Sequence, residues 1–214
     1  MQVSAEIRWF WRSAPPTGLE DWFCKAESHG CPAGGGKARV DEYLRDLSQP
    51  ELGLKRRGGK KGVEVKGLVA VLWSGLVAAP FAGPVEIWGK WTSETLELIP
   101  VVSVEKLRWL RKFDTSSSWP LEIPLNDEEK PIDMRPLPTL GCNVELTQVK
   151  LPDGGVWWTL GFEAFGALST LANDLQAVST VFASRQPPAL GEGWRTNYPR
   201  WLIEYASKTS GGPQ

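Results

Sequence analysis

Residues 51–69, ELGLKRRGGKKGVEVKGLV, hold the side chains whose types and spacing most suggest chemistry. Strand side chains alternate between faces, so Lys55 and Arg57 share one face before the glycines, and Glu64 and Lys66 share one face after them. Gly58, Gly59, Lys60, Lys61 and Gly62 read as the tight turn between two strands, with the two lysines in water. Turned outward, this is a solvated basic hairpin. Turned into an enclosed space, it crowds three cations against one carboxylate, which costs several kcal/mol unless something anionic neutralises them. An anionic ligand would do so.

Other segments must position such a face, and several repeat its alternation. In 2–12, Val3, Ala5, Ile7, Trp9 and Trp11 fall on one side, and Ser4, Glu6, Arg8 and Phe10 on the other. Lys106 and Arg108 share a face of 102–113, opposite Leu107 and Trp109. Glu86, Trp88 and Lys90 share a face after Pro84. The segments 143–151 and 155–165 flank Pro152, Asp153, Gly154 and Gly155, a strong hairpin signal, with Glu145 on the first strand and Glu163 on the second. Residues 38–47 add another strand, and 115–140 read as a long loop with a possible edge segment.

Helical signals are fewer. Thr17 and Glu20 stand at capping-box spacing before Trp22 and Phe23, which predicts a short helix within 15–24. From 167 to 184 the apolar residues Leu168, Leu171, Leu175, Val178, Val181 and Phe182 recur at three and four, an amphipathic helix. A last helix spans about 197–207. The expected fold class is α+β: about eight strands, mostly antiparallel, over 2–165, then C-terminal helices over 167–207, in a single domain spanning 1–214. Charge on one strand face and apolar groups on the other suit a sandwich with its charged face in water. They equally suit a closed barrel with a polar lumen and an outer face covered by helices.

Composition narrows the function classes. The 214 residues carry a net charge of −1, which argues against a protein that coats nucleic acid or an anionic membrane. No apolar run approaches a membrane span, and the N-terminus opens directly on a patterned strand. Three cysteines are a poor basis for a disulfide framework, and the expected location is cytoplasmic. Cys24, His29 and Cys31 lack the tight cysteine pair and the fourth ligand of a zinc site.

The order of the charged strands resembles the CYTH domain of the triphosphate tunnel metalloenzymes over about residues 2–165. That family opens on Glu-x-Glu-x-Lys and an aromatic residue, matched here by Ser4, Glu6, Arg8 and Trp9. Its Asp-x-Tyr strand is matched by Asp41, Glu42 and Tyr43, and its Leu-Arg-x-Arg strand by Leu54, Lys55, Arg56 and Arg57. Glu64, Val65, Lys66 and Gly67 match Glu-x-Lys-Gly, and Lys106 and Arg108 resemble a later basic pair. The resemblance implies an antiparallel eight-stranded β-barrel, a tunnel with flanking helices. It implies phosphate binding by Arg8, Lys55, Arg57, Lys66, Lys106 and Arg108, with Lys66 and Arg57 catalytic, and Mg2+ or Mn2+ held by Glu6, Glu64, Glu145 and Glu163. Ser4 and Gly161 depart from the pattern, each removing an expected carboxylate.

The leading expectation is a metal-dependent hydrolase, a triphosphatase acting on a small-molecule triphosphate or polyphosphate, without nucleic-acid or membrane partners. Ser4 and Gly161 motivate the alternative, a catalytically weak or inactive tunnel that binds a phosphorylated ligand or polyphosphate. A partner-binding β protein with solvated charged faces is the third reading.

Overall fold

A computed structural model describes residues 1–25, 36–44, 48–76 and 78–210. In chain order the elements are β1 (Gln2–Arg12), α1 (Leu19–Lys25), β2 (Lys37–Leu44), β3 (Leu52–Arg57), β4 (Val63–Leu76), β5 (Gly83–Ser93) and β6 (Val101–Asp114). There follow β7 (Leu121–Ile123), β8 (Gly141–Lys150), β9 (Val156–Phe165), α2 (Leu171–Ser184), β10 (Trp194–Arg195) and α3 (Tyr198–Ser210).

Eight strands close on themselves in the order β1-β5-β4-β3-β2-β6-β8-β9, with β9 returning to β1. Every pairing is antiparallel, and between β2 and β3, β3 and β4, β4 and β5, and β8 and β9 the short connections require it. β1 carries the closure, pairing β5 from Gln2 to Glu6 and β9 from Ser4 to Arg12. The two remaining strands extend the ring locally. β10 pairs β1 at Trp9 and Phe10, where β5 has left that edge, and β7 pairs β6 at Lys112 to Asp114. The expected α+β fold with an antiparallel eight-stranded β-barrel is therefore present. β7 is the edge segment foreseen within 115–140.

The alternation of β1 explains the layers. Its outward Ile7 and Trp9 pack with Phe162 of β9, Phe81, and the Leu171, Leu175, Val178 and Phe182 stripe of α2. Phe182 sits 5.5 Å from Phe162 and 6.1 Å from Phe23 of α1. Its inward Phe10 belongs to a separate cluster with Tyr43, Val104, Val149, Trp201 and Leu202. That second cluster caps one end of the barrel, where Trp201 of α3 stacks on Phe10 at 5.2 Å. One C-terminal helix thus covers the wall and the other closes a mouth. α2 starts four residues after the periodicity suggested, because Ala167 and Thr170 form a turn that leaves Leu168 in solvent.

The basic hairpin forms as the sequence predicts. Gly58, Gly59 and Gly62 take φ of 47°, 72° and 85°, the left-handed region that a side chain disfavours, and Lys60 and Lys61 stay exposed. Cys24 is disulfide-bonded and Cys142 is a buried free thiol. His29 and Cys31 lie outside the described residues. No helix among the described residues is long and apolar enough to cross a membrane.

Candidate functional site

Each of the eight barrel strands contributes to one cavity of about 890 Å³, counting the solvent at its mouth. Eight basic side chains and five carboxylates line it. All ten residues singled out from sequence meet there: Glu6 and Arg8 from β1, Lys55 and Arg57 from β3, Glu64 and Lys66 from β4, Lys106 and Arg108 from β6, Glu145 from β8 and Glu163 from β9. The barrel brings them together because alternation turns one face of every strand inward. Lys90, Lys112 and Asn143 mark the mouth opposite α3.

The crowding expected of the hairpin is relieved differently from the sequence reading, which left neutralisation to a ligand. The protein's own carboxylates interleave with the cations. Lys55 meets Glu64 at 2.9 Å, Lys66 pairs with Glu6, and Lys90 lies 3.4 Å from Glu163. Burial pushes the Glu64 carboxyl up, but Lys55, Lys90 and Arg57 outweigh it and hold it down to about 2. Glu145 and Glu163 are likewise kept below the usual carboxylate range, Glu145 by Arg8 and Arg108, and Glu163 by Lys90 and Lys66, against the opposing effect of burial.

Arg8 and Gly161 fit each other. Glu145, Gly161 and Arg8 stand in register on β8, β9 and β1. With no side chain on the middle strand, the guanidinium lies across Gly161 and reaches Glu145 at 2.6 Å and Thr159 at 2.7 Å. A Cβ at 161 would stand 2.5 Å from the Arg8 Cζ. The carboxylate that the resemblance expects at 161 has no room beside this arginine. Ser4, the other departure, donates its hydroxyl to Glu6 at 2.6 Å.

The closed end forms a floor. Tyr198, the first residue of α3, lies under the Lys106 ammonium at 3.8 Å and the Arg8 guanidinium at 5.0 Å, and stacks on Tyr43 at 5.8 Å. Lys106 donates to the Tyr43 hydroxyl at 2.6 Å and faces Asp41 at 3.4 Å. Burial drives its pKa well below the ordinary lysine value despite Asp41. Arg39 Nε, Arg57 Nε and the Tyr198 hydroxyl are buried donors without an aligned acceptor, although Arg39 faces Asp41 at 2.9 Å and Arg57 lies 3.9 Å from Glu64.

The four carboxylates expected to hold Mg2+ or Mn2+ are each engaged by a cation. Among the described residues no three acidic, histidine or cysteine groups converge as metal ligands. Glu163, Glu6 and Glu86 do stand in register on three adjacent strands. Glu86, however, accepts from Trp88 at 3.0 Å and Asn197 at 2.9 Å, while the other two hold lysines. As arranged, these residues do not fit a dedicated divalent ion.

The sequence reading placed Glu86 and Lys90 on one strand face but assigned neither them nor Arg39 and Tyr198 to the site. The first three were legible in principle, since Arg39 alternates with Asp41 and Tyr43, and Glu86 and Lys90 flank Trp88. Tyr198 had no local signal, because only the fold-back of α3 brings it to the lumen. No protein-family model and no curated protein matches this chain.

Proposed function

We propose that the lumen binds a condensed phosphate chain, an inorganic triphosphate or short polyphosphate, entering by the mouth at Lys90 and stopping at the Tyr198 floor. The observation that carries this reading is the gathering of eight basic side chains around one cavity, against five lining carboxylates and two more, Asp41 and Glu129, that engage Arg39, Lys106 and Arg108. An oxyanion chain with several charges suits fixed N–H donors at successive depths, and Arg57 Nε and the Tyr198 hydroxyl, buried without an aligned acceptor, add to them. The barrel is also consistent with the tunnel fold of the CYTH family, and on this reading the chain is a divergent member of it. The internal ion pairs must open for the ligand, and each lysine then exchanges a carboxylate for a phosphate oxygen.

Hydrolysis of the bound chain with Mg2+ or Mn2+ is the second reading; it requires the registered Glu163, Glu6 and Glu86 to release the lysines and the Trp88 and Asn197 donors that they hold. Thermal denaturation with tripolyphosphate, with and without each metal, alongside phosphate release, separates the two. Binding predicts a raised melting temperature in metal-free buffer without phosphate release, and a loss of that rise in Lys66→Ala but not Lys60→Ala. Metal-dependent turnover establishes the second reading, and a melting temperature indifferent to every phosphate compound overturns both.

A further inference from the structure

The loop between β7 and β8 contains a residue that no strand pattern foreshadows. Asn126 and Lys130 close a small turn: Asn126 N donates to the Lys130 carbonyl at 2.8 Å, and Glu129 N donates to the Asn126 carbonyl at 2.8 Å. The Asn126 side chain accepts from Glu128 N and Lys130 N at 3.0 and 3.1 Å, and Leu125 bridges Pro131 behind it. Lys37 of β2 anchors the turn through the Glu128 carbonyl at 3.3 Å.

The turn places Glu129 at φ 64°, a conformation glutamate seldom adopts. Its carboxylate then meets Arg108 fork to fork, with Arg108 Nε on Oε1 at 3.0 Å and Nη2 on Oε2. Arg108 Nη1 faces Glu145 at 3.4 Å. A lumen arginine is thus held on its bidentate edge by a carboxylate delivered from outside the barrel strands. That edge has the geometry a phosphate group takes on a guanidinium.

We infer that Glu129 is a resident anion, occupying the phosphate-binding edge of Arg108 until a phosphate group displaces it. The inference rests on the reading of the lumen as a polyphosphate site, and makes turn 126–130 the element that sets its affinity. Neighbouring Glu128 provides a charge control, because it pairs with Lys130 at the surface and not with a lumen residue.

Isothermal titration with tripolyphosphate in metal-free buffer tests it on the wild type, Glu129→Gly, Glu129→Gln, Glu128→Gln, Arg108→Ala and the Arg108→Ala/Glu129→Gly double variant. Glycine accepts the positive φ, so Glu129→Gly keeps the turn without strain. Expected is binding about tenfold tighter in Glu129→Gly, a smaller gain in Glu129→Gln and none in Glu128→Gln. The gain should vanish when Arg108 is already alanine. Binding by Glu129→Gly where the wild type shows none also supports the latch. Unchanged or weaker binding in Glu129→Gly, or a gain that survives Arg108→Ala, overturns it while leaving the lumen reading intact. Absence of binding in every protein overturns both.

Discussion

Gly161 shows how one missing side chain shapes the site. The buried Arg8 uses the gap to span β9 and reach Glu145, so arginine at 8 and glycine at 161 work as a pair. Gly161→Ala should destabilise the protein by about 1–3 kcal/mol, the usual penalty for overpacking a tight interior. Much of that penalty should disappear when Arg8 is also lysine, whose slimmer head leaves room for the methyl group. Urea denaturation of the two single variants and the double checks the coupling; additive losses would show that Arg8 and Gly161 do not constrain each other. From sequence, Gly161 read as the loss of an expected carboxylate and Arg8 as a phosphate-binding residue. The physical link between them needed the strand register, which places Glu145, Gly161 and Arg8 side by side.

At the level of elements, the strands were legible and the roles of the helices were not. Period-two alternation marked β1 and β6, and the Asp153 and Gly154 turn marked the β8–β9 hairpin, because alternation is imposed locally by the pleat. The same charged faces suited a sandwich or a barrel, since closure depends on β1 pairing both β5 and β9, a contact remote in sequence. The sequence likewise predicted a last helix at about 197–207 but not what it meets. In the fold it plugs the barrel end, with Trp201 only 1% exposed between Phe10 and Trp157. Trp201→Ala should cost about 3–5 kcal/mol, as large-to-small changes in cores do. A loss below about 1 kcal/mol in urea denaturation followed by circular dichroism would mean that α3 does not close the mouth.

For the whole molecule, the lumen is a lattice of buried and half-buried opposite charges, and its stability must follow pH accordingly. Glu64 falls from 4.5 to about 2 on folding, and Asp41, Glu145 and Glu163 are lowered too. Between those values the unfolded chain binds more protons than the folded one, so stability rises with pH there and is lost as pH falls. The carboxylate contribution to the denaturation free energy should be complete above about pH 5 and drop steeply from pH 4.5 towards 2. A flat profile across that window would contradict the ion-pair lattice. The same lattice governs ligand entry, because a polyphosphate can enter only by exchanging with carboxylates that already hold the cations. The most direct measurement is a crystal structure of the protein soaked in tripolyphosphate without added metal. The expected result is a phosphate chain inside the barrel within hydrogen-bond distance of Lys55, Arg57 and Lys66, with Lys66 released from Glu6. A water-filled lumen with these ion pairs intact, and phosphate elsewhere or nowhere, would contradict it.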